Sequence, residues 1–201
     1  MQKSYGIYLA YFFQGLIALN AVHAFLIGEY RAMFTAILMF AMTVVPYVIA
    51  QRMNIQLPWF VFFLIALALW FHTAGYIQGY YERFYPYYDK IAHIVSGTAV
   101  ALLGFLGVIF VDKYLNMNLK PVFIAFFTVI FGVALGAFWE MYEFFIDTFF
   151  GGNLAGPMQV SNTDTMLDMM FVFGGSLIVA VMGILWFKHH RKEEITEGAK
   201  I

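Results

Sequence analysis

The chain has 201 residues, of which 63% are hydrophobic and 11% charged, and its formal net charge is −1. A soluble domain is about 45–50% apolar and about 25% charged, so this composition reads as a one-domain polytopic membrane protein. The near-neutral charge argues against a nucleic-acid partner. The absence of cysteine excludes disulfides, thiolate metal sites and thiol nucleophiles.

A hydrocarbon core about 30 Å thick needs about 20 apolar residues per helix. Six segments qualify: 5–27, 32–50, 59–79, 91–111, 122–146 and 166–187. In the first, Val22-His23-Ala24 resembles a signal cleavage site, but the apolar stretch is too long and only Lys3 precedes it. It is expected to be an uncleaved helix. The loops are short, with no second domain, linker or repeat. The expected architecture is all-α: one transmembrane bundle over 1–187 and a short polar cytoplasmic tail over 188–201 in an inner or plasma membrane, with homo-oligomerisation open. Aromatic residues make up 20% of the chain, which suits interfacial belts and lipid-facing surfaces.

Orientation follows from Lys and Arg. With both termini cytoplasmic, Lys3, Arg52, Lys113, Lys120, Lys188, Arg191, Lys192 and Lys200 lie inside, and Arg31, Arg83 and Lys90 lie outside. That arrangement gathers Glu29, Glu82, Asp89, Glu140, Glu143, Asp147, Asp164 and Asp168 on the outer side, with His23, His72 and His93. The resulting field suits cations.

The fourth segment opens with Asp89 and His93 one helical turn apart, followed on the same face by Ser96 or Gly97. A carboxylate and an imidazole so placed serve as metal ligands or as an acid–base pair, or simply as a structural pair. Lys90 is expected to snorkel to the headgroups. The fifth segment carries Gly132, Gly136, Glu140, Glu143 and Asp147 at offsets of one helix face. Its glycines suit close packing, and its acids open that face into a polar pocket. The two glutamates repel each other unless a proton or cation lies between them, or they form a structural hydrogen-bonded pair with Arg83 or Lys90. Asp164 and Asp168 begin the sixth segment. There Thr165 is a candidate N-cap, with Asp168 as the acid of a capping box. The preceding Gly-rich loop could turn Gln159 towards the acids or merely connect. His72 and His23 read as packing histidines.

Together these residues form a candidate divalent-metal site of Asp89, His93, Glu140, Glu143, Asp147, Asp164 and Asp168, for Mg²⁺, Mn²⁺, Ca²⁺ or Zn²⁺. Glu143 or His93 is the candidate general base. The motifs Tyr-Asp-Lys-Ile-Ala-His (88–93), Trp-Glu-Met-Tyr-Glu-Phe-Phe-Ile-Asp (139–147), Gln159 and Asp-Thr-Met-Leu-Asp (164–168) resemble the uncharacterised bacterial membrane proteins typified by YjdF. That resemblance covers most of the chain and implies a membrane protein, with no established activity. A more distant similarity is to VanZ-like proteins, linked to glycopeptide resistance. They tend to have Gln at the position of Glu143 and Asn at that of Asp168, and often a basic residue between the equivalents of Asp147 and Asp164. These departures make the present pocket more acidic.

Three functions follow as expectations. One is a metal-dependent membrane hydrolase acting on a lipid or cell-envelope substrate that enters sideways. Another is a small cation- or proton-coupled transporter, since intramembrane acids carry such ions. The last is a non-catalytic envelope or resistance factor whose acids hold the fold. No G-x-S-x-G or H-E-x-x-H signature points to a known hydrolase.

Overall fold

The computed structural model describes residues 5–150 and 158–198. Its helices run α1 (Ile7–Leu26), α2 (Tyr30–Arg52), α3 (Trp59–Ile77), α4 (Tyr80–Arg83), α5 (Tyr87–Leu115), α6 (Pro121–Phe150), α7 (Asn162–Trp186) and α8 (Lys192–Gly198), with no strand among the described residues. Six of them are long and apolar enough to cross a membrane. The chain is therefore an all-helical, multi-pass membrane protein, and the six expected segments fall on α1, α2, α3, α5, α6 and α7. The short helices α4 and α8 lie outside those segments.

The boundaries differ most where the polar residues sit. The hydropathy reading starts the fourth and sixth segments at 91 and 166, whereas α5 begins at Tyr87 and α7 at Asn162. Hydropathy marks only the lipid-compatible stretch, while the helix continues wherever its backbone bonds are satisfied. At 29 and 30 residues, α5 and α6 are each about 44 Å long. They exceed the hydrocarbon core, so their ends can carry polar groups at its boundary.

The bundle divides into α1–α3 and α5–α7. Helices α5, α6 and α7 pack mutually, α2 packs on α1 and α3, and α3 joins the halves by packing on α5. Small residues dominate the buried positions, among them Ala10, Ala24, Ala36, Ala66, Ala92 and Ala101. Large apolar residues such as Leu19, Phe34, Phe126 and Met182 face outward. That distribution suits lipid as solvent: burial of apolar area drives nothing there, so helices associate through close backbone approach. The α5–α7 contact illustrates it. A Cβ at Gly97 would meet the Val172 backbone at 2.7 Å, and one at Gly175 would meet the Ile94 carbonyl at 2.5 Å. Gly136 lies against Val172 and Gly132 against Ser176, so both glycines of α6 do serve helix packing.

Polar bonds tie the α1–α3 half. Gln14 Nε2 donates to Thr43 Oγ1 at 3.1 Å, and Gln78 Nε2 donates to Asn20 Oδ1 at 2.8 Å. The tail is not merely solvated. Lys192 on α8 donates to Asp112 Oδ2 and to the Leu119 carbonyl, and Asp112 Oδ1 accepts the Leu119 N–H at 2.8 Å.

Candidate metal centre

Three helix ends meet: the N-termini of α5 and α7 and the C-terminal turns of α6. Each helix brings its acids by simple periodicity. Asp89 and His93 are one turn apart on α5, Asp164 and Asp168 one turn apart on α7, and Glu140 and Glu143 adjacent on the packed face of α6. All but Asp89 are buried, Glu143 and Asp168 being 4% and 3% exposed.

Lys90 corrects the expectation of a snorkelling side chain. It is buried, and its ammonium donates to Asp164 Oδ1 at 2.6 Å, Asp168 Oδ1 at 2.7 Å and Asp89 Oδ2 at 3.0 Å. Three donors on one ammonium meet three carboxylates. Arg83 is exposed instead, and neither basic residue is the hydrogen-bond partner foreseen for the glutamates.

His93 Nε2 lies 3.3 Å from Asp89 Oδ1 and 3.8 Å from Asp168 Oδ1, yet it is buried without a hydrogen bond. Ligand atoms of Asp89, His93 and Asp168 all lie within 4.8 Å of one another. Two tetrahedral ligands at zinc-like bond lengths of 2.0–2.2 Å sit about 3.4 Å apart, so this spacing is close to that of a coordination sphere. Glu140 faces the same group, its Oε1 3.9 Å from His93 Nδ1. Both of its oxygens are buried without a hydrogen-bond partner, although it is only 6% exposed. The Thr165 and Gln159 side chains lie close enough to Glu140 to act on its carboxyl as donors, although neither reaches good hydrogen-bond geometry.

Other expected members have different duties. Glu143 Oε1 accepts the Tyr76 hydroxyl at 2.9 Å and the Trp139 indole N–H at 2.7 Å. It is held in place, so Glu140 is the freer carboxylate. Asp147 accepts the backbone N–H groups of Met158 and Gln159 at 2.9 and 2.7 Å, clamping the α6–α7 connection rather than joining the centre. Residues 151–157 of that Gly-rich loop lie outside the described residues. The N-cap of α7 is Ser161, whose hydroxyl accepts the Asp164 N–H at 3.1 Å, and not Thr165. Starting the helix one turn earlier leaves Asp168 free to meet Lys90 and His93.

Sequence reasoning missed part of the wall. Ser96 donates to the Ala92 carbonyl, so it must accept from His72 Nε2–H at 2.9 Å. That sets the tautomer, and His72 Nδ1 then accepts the Tyr81 hydroxyl at 2.7 Å. Burial, reinforced by the charges of Asp89 and Glu143, pushes the Tyr81 phenol well above its ordinary value, so it remains a donor. Gly75 leaves the space that the Tyr81 ring fills. His72 is thus a satisfied packing histidine, as expected, and its ring meets His93 edge-on at 5.4 Å. His23 is exposed on α1, which corrects its reading as a packing residue. The His72 wall was partly legible, because His72 and Tyr76 recur at a helical turn on α3. The connection to Tyr81 was not, since it crosses a tight turn at Gly79.

Beside this centre lies a cavity of about 1300 Å³, lined by α2, α3, α5 and α6 and reaching His72 and His93.

A family model described as a predicted membrane protein family, DUF2238, matches residues 8–189, and the chain belongs to that family. Comparison with the curated proteins finds no match. Comparison with the solved structures finds none either.

Proposed function

We propose that this DUF2238 member binds one divalent cation through Asp89, His93 and Asp168, and uses it on a lipid or cell-envelope substrate at the extracytoplasmic face of the plasma membrane. The observation that carries the reading is Glu140, a buried carboxylate neither of whose oxygens makes a well-formed hydrogen bond, 3.9 Å from an imidazole whose Nε2 meets Asp89 only at 3.3 Å, outside hydrogen-bond geometry. Such groups are costly in a membrane protein unless something occupies the space between them.

Charge supports the same reading. Asp89, Asp164, Asp168, Glu140 and Glu143 face one ammonium and one imidazole. A dication would offset part of the surplus, and mixed carboxylate–imidazole ligation favours Zn²⁺ or Mn²⁺ over the all-oxygen coordination of Ca²⁺. A cation held by Asp89, His93 and Asp168 would supply Lewis-acid chemistry, polarising a substrate oxygen or activating water. Glu140, 3.9 Å from His93 and free of well-formed hydrogen bonds, would be the carboxylate available to take up a proton, while Glu143 is held by Tyr76 and Trp139. Lys90 holds Asp89 and Asp168 in register. The side of the membrane is read from the excess of Lys and Arg on the loops taken as cytoplasmic.

Metal analysis of protein purified gently in detergent tests this, comparing wild type with Asp168→Asn and Glu140→Gln. The expected result is about one Zn²⁺ or Mn²⁺ per chain in the wild type. Asp168→Asn should bind metal at least about tenfold more weakly, and Glu140→Gln should retain metal but lose turnover. No metal in any protein, with proton or cation flux that depends on Glu140, would replace the enzyme with a carrier.

A further inference from the structure

The cavity beside the acids has a length as well as a volume. Its α2 wall runs from Thr35 to Met53 and its α5 wall from His93 to Leu115. At 1.5 Å per residue these are about 27 and 33 Å. The hydrocarbon core is about 30 Å thick, so the groove traverses it, whereas a chain anchored in one leaflet reaches about 15 Å. Helices α2 and α6 flank the groove without packing on each other, which leaves a lateral opening to the bilayer.

The lining is graded. His72, His93, Ser96 and Trp139 gather where the groove meets the carboxylates, and the far end is Met53, Ile55, Leu57 and Leu115. One polar end and one long apolar end describe an amphiphile with its head at the acids. Met39, Met42 and Met53 supply flexible wall atoms that accommodate an irregular, methyl-branched chain. Gly107 contributes a smooth stretch of wall, because a Cβ there would meet nothing within 4 Å.

We infer that the groove between α2, α3, α5 and α6 holds a single hydrocarbon chain longer than one leaflet is deep, that of a polyisoprenoid lipid, with its oxygen-bearing head at the Asp89–His93–Asp168 centre. This deepens the functional reading above and rests on it for the head, while the chain site rests on the groove alone. One glycerophospholipid reaches only about half the length of the groove, so filling it that way takes a second lipid from the opposite leaflet.

The test is native mass spectrometry of the protein released from phospholipid nanodiscs. The nanodiscs are doped with a polyprenyl phosphate longer than the core, or with farnesyl phosphate, whose chain stops short of Gly107 about 21 Å from His93. Wild type should retain the long chain at least about tenfold over phospholipid. Gly107→Phe should lose that retention about tenfold and still hold farnesyl phosphate. Met42→Trp, which fills the groove from the opposite wall, checks the result should Gly107→Phe fold poorly. Equal retention of phospholipid and polyprenyl phosphate by wild type would overturn the inference, as would unchanged long-chain binding in both folded variants. Metal content of the same samples separates the two ideas. Bound metal without chain selectivity sinks the groove assignment alone. Chain selectivity without metal sinks the cation and leaves the groove standing.

Discussion

The bundle has a buried charge group at each end, and the two are built differently. At one end Asp112 meets Lys192, with each Asp112 oxygen accepting one hydrogen bond and the ammonium also capping the Leu119 carbonyl. Charge and hydrogen bonds balance. At the other end Lys90 meets three aspartates, and Glu140 and His93 Nε2 are left without hydrogen bonds. A pair that only holds the fold is selected for completeness, because an uncompensated buried charge costs several kcal/mol. A surplus maintained at that cost points to a use. The comparison therefore separates structural from functional acids more sharply than burial does, since Asp112 is as buried as Glu143, both being 4% exposed.

The largest expected effect is that of Lys90→Met. It strands the buried Asp164 and Asp168 and the half-buried Asp89, and should lower stability by about 3–5 kcal/mol, read as a fall in Tm in detergent. Added Zn²⁺ or Mn²⁺ should restore part of the loss, and Tm unmoved by metal would weaken the contrast between the two ends. Lys192→Met should cost less, about 1–3 kcal/mol, because Asp112 keeps the Leu119 N–H and its pair is partly open to solvent. Its metal content should equal that of the wild type. A metal defect there would show that the ends are coupled and break the comparison.

Glu140→Gln should leave stability unchanged or raise it by up to about 1–2 kcal/mol, read as an unchanged or higher Tm, because it replaces a buried carboxyl that makes no well-formed hydrogen bond. A large fall in Tm would mean that Glu140 is structural after all. The smallest effect is expected at exposed Glu194, whose carboxyl the Arg191 N–H and His190 hold below its ordinary value. A depressed carboxyl stabilises the fold above its unfolded value, and that contribution is lost as pH falls through the folded one. Glu194→Gln should therefore be slightly less stable than wild type at neutral pH, and an acid titration should show that small difference vanish as pH falls through the acidic range.

Composition and hydropathy determined the membrane class, the six crossings and their order, because a bilayer selects for length and apolarity that can be counted along a chain. Helical periodicity also determined that Glu140 and Glu143 share a face with Gly132 and Gly136, and that Asp89 and His93 face the same way. Partners were decided by the tertiary structure. Ser161-Asn-Thr-Asp164 and Thr165-Met-Leu-Asp168 offer the same capping pattern twice, and only the packing of α7 on α5, which places Asp168 against Lys90, shows which is used. Likewise Lys90 is interfacial by sequence and buried in fact, and Glu143 finds Tyr76 and Trp139 rather than a cation. The physical reason is common to all three. Local spacing sets which face of a helix a side chain occupies, whereas the rotation and closeness of the neighbouring helices, set here by glycines such as Gly97 and Gly175, determine what that face meets.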